Sequence, residues 1–145
     1  MNLNKRTLSV LLLTITAPLR IWADAPNPAL HKIERIFVGD MGQGNEAERF
    51  RLLLAQELSR ANFKPVDKAE EADAVLTGVL VVRTYELNSA ATATVVLKTA
   101  KGEKVWESGF DPPKKRKVKR PSDPVMFQAQ DIVFHLRQDW EESKK

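Results

Sequence analysis

The chain has 145 residues, no cysteine and a formal net charge of +4 at pH 7. The lack of cysteine excludes a disulfide framework, a thiol nucleophile and a lipid-modified cysteine. The positive charge is local, since residues 1–23 account for three of the four net charges and residues 114–120 hold six cations, so global charge gives no basis for a nucleic-acid partner.

Residues 1–23 have the pattern of a bacterial secretory signal. Lys5 and Arg6 form a positive start, residues 8–19 form an apolar stretch, and the small residue Ala23 stands at a cleavage point. The stretch is shorter than the roughly 20 apolar residues of a permanent membrane helix. We expect cleavage near Ala23, export to the periplasm or the medium, and no transmembrane segment.

The alternative is an uncleaved amphipathic anchor, which the basic Arg20 near the end of the segment favours. In the cleaved form 122 residues and a charge of +1 remain. We predict a leader at residues 24–30 and a single domain at residues 31–143. A domain of this length buries about two-thirds of the surface that its unfolded chain exposes.

The first half of the domain predicts a strand, a helix and a second strand. Residues 32–40 alternate and predict the first strand, after which Asn45 is placed as the N-cap of an amphipathic helix and Asn62 as its stop. Residues 63–66 predict the second strand, and residues 67–73 an acidic turn. The apolar stripe of this helix is Ala47, Phe50, Leu54, Leu58 and Ala61.

The second half predicts a meander and a final helix. Residues 74–82 are almost continuously apolar, which predicts a central strand buried on both faces, so that Asp at Val79 or Leu80 should unfold the domain. Residues 91–99 and 104–110 predict two further strands, and Asp123 is placed as the N-cap of the helix. The apolar stripe of this last helix is Val125, Ala129, Ile132, Leu136 and Trp140.

The order of elements is therefore β-α-β-β-β-β-α. Two amphipathic helices need a sheet to cover their stripes, so we predict an α/β (α+β) fold with a mixed five-stranded sheet.

Three segments carry a family resemblance: residues 36–38 running into a loop and helix, residues 72–78 (ADAVLTG) opening the central strand, and residues 101–106 (KGEKVW) at a hairpin. Together they resemble the N-terminal α/β domain of Tol-Pal periplasmic propeller proteins and the related curli-secretion lipoprotein domain. The resemblance spans residues 32–110 and implies an exported interaction module. The chain departs from these families in having no lipobox cysteine, propeller or pore-forming insertion.

Two patterns in the sequence bear on chemistry. The turn from Gly39 to Gly44 lies where a phosphate could bind, but it lacks the GxGxxG spacing and a lysine. Asp131, His135 and Asp139 share one helix face, and such a row is poor geometry for a metal. We therefore expect no cofactor, metal or catalytic residue, with a nucleotide-binding protein or enzyme built on the glycine turn as the alternative. Trp106 is predicted to be a core residue, and His31 has no identified partner.

The basic run lies in a loop at residues 111–123 bounded by prolines. It resembles a nuclear import signal, which an exported protein would not use. The remaining interpretations are a solvated loop, a contact to phospholipid or lipopolysaccharide phosphates, or a contact to another macromolecule.

We expect the protein to be a non-catalytic accessory module of the bacterial cell envelope. Its expected partner is an envelope protein or an anionic lipid or lipopolysaccharide surface, with no nucleic acid and no assigned oligomeric state. The candidate contact residues are Lys114, Lys115, Arg116, Lys117, Lys119 and Arg120.

Overall fold

A computed structural model describes residues 25–108 and 123–145. The predicted signal segment and all six cations of the basic run lie outside these residues. The described elements follow the predicted order and form one mixed sheet with two helices. They are β1 (Arg35–Val38), α1 (Asn45–Arg60), β2 (Lys64–Val66), β3 (Ala74–Thr84), β4 (Ser89–Thr99), β5 (Lys104–Glu107) and α2 (Pro124–Glu142), with 3-10 turns at Leu30–Lys32 and Ala69–Glu71.

The strand order across the sheet is β2-β1-β3-β4-β5, which confirms the predicted α+β class. β1 pairs in parallel with β2 and β3, whereas the β3–β4 and β4–β5 pairs are antiparallel. α1 forms the crossover between β1 and β2. The edge strand β2 contains Pro65, a residue that an edge tolerates because one side of its backbone needs no ladder donor.

Both helices cover the same face of the sheet. α1 contacts β1, β2 and β3, while α2 contacts β4 and α1. Their predicted stripes are confirmed: every residue of the α2 stripe is buried, and in α1 only Ala61 at the end is half-buried. The sheet residues that meet them are Ile36, Val38, Ala74, Leu76, Val95 and Leu97, all buried.

Two tryptophans connect α2 to the rest of the domain. The indole N–H of Trp140 donates to the carbonyl of Ile33 at 2.9 Å, and that of Trp106 donates to Asp139 at 2.7 Å. A bulge in the β4–β5 pairing turns Val105 and Trp106 both toward the core, so the core position predicted for Trp106 is confirmed.

Two predicted boundaries in the first half of the domain are wrong, and three other strand ends differ by one to three residues, since β2 begins at Lys64, β4 begins at Ser89 and β5 ends at Glu107. The first strand is Arg35–Val38 rather than residues 32–40, because Leu30–Lys32 turns as a 3-10 helix that buries Leu30. Asn45 is the first residue of α1 instead of its cap. The capping position belongs to Gly44, whose φ of 97° suits glycine. The predicted ends at Asn62 and Asp123 are confirmed: Asn62 has a φ of 64°, and the Asp123 carboxylate accepts bonds from the N–H groups of Val125 and Met126.

The prediction that residues 74–82 are buried on both faces is also wrong. Val79 is 57% exposed and Val81 47% exposed, because neither helix lies on their side of the sheet. Leu80, on the helix side, is half-buried against the core. An acidic residue at Val79 therefore meets water, and the expected unfolding by Val79→Asp does not follow.

None of the helices in residues 25–108 and 123–145 has the length and apolar character needed to cross a membrane.

Candidate binding surface

The face of the sheet opposite the helices is not covered by any element within residues 25–108 and 123–145. The strand register defines it, since residues opposite each other in a ladder share a face. Its centre is apolar or threonine-rich and grades from half-buried to exposed toward the β3–β4 turn. We call it the open face; its central members are Phe37, Val66, Val75, Thr77, Val79, Val81, Thr92, Thr94 and Val96.

The open face continues onto an arm, the part of the β3–β4 hairpin beyond the β1 and β5 ladders, whose helix side still packs against the core through Val82 and Ala91. β3 and β4 pair over eleven positions, but the β1 ladder reaches only Leu76 and the β5 ladder begins at Val96. The carbonyls of Asp40 and Met41 accept bonds from Gly78 and Leu80, and the arm continues beyond that point. The six β3 residues from Val79 to Thr84 extend about 20 Å at the usual rise per residue.

The turn at the end of the arm is also apolar and exposed. Leu87 is 92% exposed and Tyr85 58% exposed, beside the charged Glu86. Large exposed apolar side chains that adjoin one another mark surfaces at which proteins meet partners. Exposed apolar side chains thus occur both along the open face and at the turn that ends the arm.

Three cations stand around the open face without an ion pair among the described residues: Lys64, Arg83 and Lys98. Lys64 lies opposite Arg35, Lys98 opposite Val75, and Arg83 opposite Ala90, so each projects on the open side. The other charges of this face are paired. Arg35 binds Asp73 at 2.9 Å and Lys104 binds Glu107 at 2.9 Å. On the strands of the open face, the charges without an ion pair among the described residues are therefore all positive.

Asp73 connects the start of β3 to the start of β1. Its carboxylate accepts bonds from the backbone N–H groups of Glu34 and Arg35, at 3.0 and 2.8 Å, and from the Arg35 guanidinium. Partial burial disfavours the charged carboxylate, but the Arg35 backbone and side chain and the Glu34 N–H outweigh burial, and the pKa of Asp73 lies below its ordinary value. Asp73, the acid of the ADAVLTG segment, therefore has a structural role, and we call its bonds to Glu34 and Arg35 the clasp.

Polar groups of the glycine turn at residues 39–44 are already hydrogen-bonded within the domain. The Asp40 carboxylate accepts the N–H of Gly42 at 3.0 Å, a donor that a phosphate would otherwise use. Met41 is buried in the core, and the carbonyls of Asp40 and Met41 bind β3. This geometry lends no support to a phosphate cradle at residues 39–44.

The three polar residues of α2 also have local roles. His135 Nε2 lies 3.5 Å from Asp131, and Asp139 accepts the Trp106 indole bond. No group of three or more metal-type ligands occurs within residues 25–108 and 123–145. His31 lies in the first 3-10 turn, and its Nδ1 is buried without a hydrogen-bond partner in the described part of the chain.

The open face could not be predicted from the hydrophobic pattern of β3. Valine and leucine fill both sides of that strand, so its hydrophobicity does not alternate. A signal does exist in β4, where Ala91 and Ala93 alternate with Thr92 and Thr94, a pattern typical of a strand with one wet face.

Comparison of the chain with protein-family models, with curated proteins and with solved structures returned no match. The resemblance to the Tol-Pal and curli-secretion domains thus stays a prediction from three sequence segments.

Proposed function

We propose that this protein is an exported, non-catalytic binding module of the bacterial cell envelope, and that it docks its partner through the open face and the β3–β4 arm. One observation carries the proposal: two helices cover one face of the sheet, while Val79 and Val81 on the other face remain about half exposed.

Burial of this surface would release free energy that the isolated domain does not use. Full burial of one valine is worth about 1.5–3 kcal/mol, and about half of that remains available at each half-exposed position. Strands paired in parallel, as β2, β1 and β3 are, are ordinarily covered on both faces, whereas an antiparallel pair such as β3 and β4 commonly leaves one face to water. A partner on the open face would supply the missing layer.

The export component is supported by the signal pattern of residues 1–23, with its positive start, short apolar stretch and small residue at Ala23. Intact mass would test it. A mature protein beginning at Asp24 and recovered from the periplasm is expected; a membrane-bound protein retaining Met1 would contradict this component.

The docking component is tested by site-specific photocrosslinking in intact cells. A benzophenone amino acid is placed at Val79 and, as a matched control, at Leu52 on α1; each native side chain is 57% exposed. The two positions differ in the face they occupy, so a partner of the open face should give a discrete adduct from position 79 alone.

Identical adduct patterns from both positions, or no adduct from position 79, would overturn the docking component. Circular dichroism of both proteins checks that the substitution leaves the fold intact.

A further inference from the structure

We infer that the partner element docked on the open face is an amphipathic helix of about four turns, flanked by acidic residues. The inference rests on the proposed docking function and adds the chemistry of the partner.

The dimensions of the face fit one helix. The open side of β3 runs from Val75 to Val81, about 20 Å, which equals the length of 13–14 helical residues at 1.5 Å each. At the level of Val75, the apolar side chains of β2, β1 and β3 (Val66, Phe37 and Val75) span two strand spacings, about 10 Å, which matches the diameter of one helix.

A helix also fits the hydrogen bonding of the face. The backbone hydrogen bonds of β3 run sideways in the sheet, to β4 from Ala74 to Thr84 and to β1 up to Leu76, so an element that lies on the face meets side chains and not backbone donors or acceptors. A helix satisfies its own backbone and needs only side-chain contact. Helix on sheet is the arrangement that the covered face of this domain already uses.

The charge of the face selects an acidic partner. Lys64, Lys98 and Arg83 surround the apolar rows and have no ion pair among the described residues. A second copy of the domain would bring the same three cations face to face. The chain's own apolar stretch, residues 8–19, is flanked by Lys5, Arg6 and Arg20 and carries the same sign. An acidic helix is attracted where these two occupants are repelled.

Anionic lipid is the competing occupant of like charge. Its headgroups carry negative charge but no stripe of side chains to fill the apolar rows between Phe37 and Val81. The same experiment can therefore separate lipid from helix.

The probes are two fluorescein-labelled 16-residue peptides with one leucine and alanine stripe, flanked by glutamates in the first and by lysines in the second. Binding to the mature protein is measured by anisotropy at low and moderate salt. We expect the glutamate peptide to bind at least about tenfold more tightly than the lysine peptide, and its advantage to shrink with added salt.

Variants localise the site. Val79→Asp should weaken binding of the glutamate peptide by about tenfold, with Val79→Thr, which keeps the side-chain volume, giving a smaller loss. Leu52→Asp is the matched control and should bind as the wild type does. The triple change Lys64→Gln, Arg83→Gln and Lys98→Gln should remove most of the salt dependence. Its control neutralises three exposed lysines outside the strands, Lys32, Lys68 and Lys145.

Each contrary outcome is informative. Equal binding of the two peptides, or an unchanged affinity in both Val79 variants, overturns the acidic-helix inference. Retention on phosphatidylglycerol vesicles that the Lys64, Arg83 and Lys98 triple change abolishes, without binding of the glutamate peptide, assigns the face to lipid. Absence of all binding refutes the helix inference alone when position 79 still crosslinks in cells, and refutes the docking function as well when it does not.

Discussion

Substitution of Gly78 by alanine should destabilise the domain more than a single added methyl group would suggest. Gly78 lies at the base of the arm, opposite Val95. A Cβ atom built there would be 2.3 Å from the carbonyl oxygen of Thr94 and 2.9 Å from Cα of Val95. Both contacts are with backbone atoms, so rotation of a side chain cannot relieve them.

The cost can be worked from these distances. Restoring even a 3.0 Å contact requires β3 and β4 to separate locally by roughly 0.7 Å in a closely packed interior. Overpacking of this kind costs about 1–3 kcal/mol, and each weakened ladder bond adds up to about 1 kcal/mol. The lower entropy of the unfolded alanine chain returns about 0.4–1 kcal/mol. These terms allow a net loss of up to about 3.5 kcal/mol, and because both contacts are with backbone atoms we expect the free energy of unfolding to fall by about 2–3 kcal/mol.

Urea unfolding of the mature protein, followed by circular dichroism, measures this loss. With a slope of about 1–3 kcal/mol per molar urea, a loss of this size should lower the midpoint by about 0.7–3 M. Gly39→Ala is the matched control. Its Cβ would lie nearest to the methyl of Thr77, at 3.1 Å, a side-chain contact that can adjust, and its other contacts are at ordinary distances of 3.4 Å or more, so a change below about 1 kcal/mol is expected. A Gly78→Ala protein as stable as the wild type would refute the close approach of the two strands.

The remaining predictions concern the open face, the clasp and the helix cap. Val79→Asp should change the free energy of unfolding by less than about 1 kcal/mol, whereas Leu76→Asp on the buried face should prevent folding, as circular dichroism would reveal. Asp73→Asn should destabilise by about 1–2 kcal/mol at pH 7. Because folding lowers the pKa of Asp73, the stability it contributes is present above the unfolded value of about 3.9 and is lost as the pH falls through the lower folded value. The gap between wild type and Asp73→Asn should therefore narrow below about pH 4 in a denaturation series, and a gap independent of pH would contradict the clasp. Asp123→Ala should cost about 0.5–2 kcal/mol through loss of the α2 cap, and a neutral result in thermal unfolding would argue against that cap.

The elements that sequence reasoning placed well depend on local physics. The α2 cap at Asp123, the stop at Asn62 and the apolar stripes of both helices arise from interactions within one or two turns, and periodicity records them directly. The boundaries that failed depend on neighbours. Leu30 is buried in the core by contacts with distant elements, which its own segment does not encode. The chain therefore turns at Leu30–Lys32, and the strand begins only at Arg35.

The sequence alone determined the order of elements, the five strands and the two stripes that require a sheet, because each follows from the period and composition of a short segment. It could not determine which face of that sheet remains open. Val79 and Leu80 have similar hydrophobicity, yet one is exposed and the other half-buried, because both helices pack on the same side. The candidate site depends on this packing of both helices on one side. Its cations, Lys64, Arg83 and Lys98, belong to three different strands, and the sheet register brings them around one apolar surface.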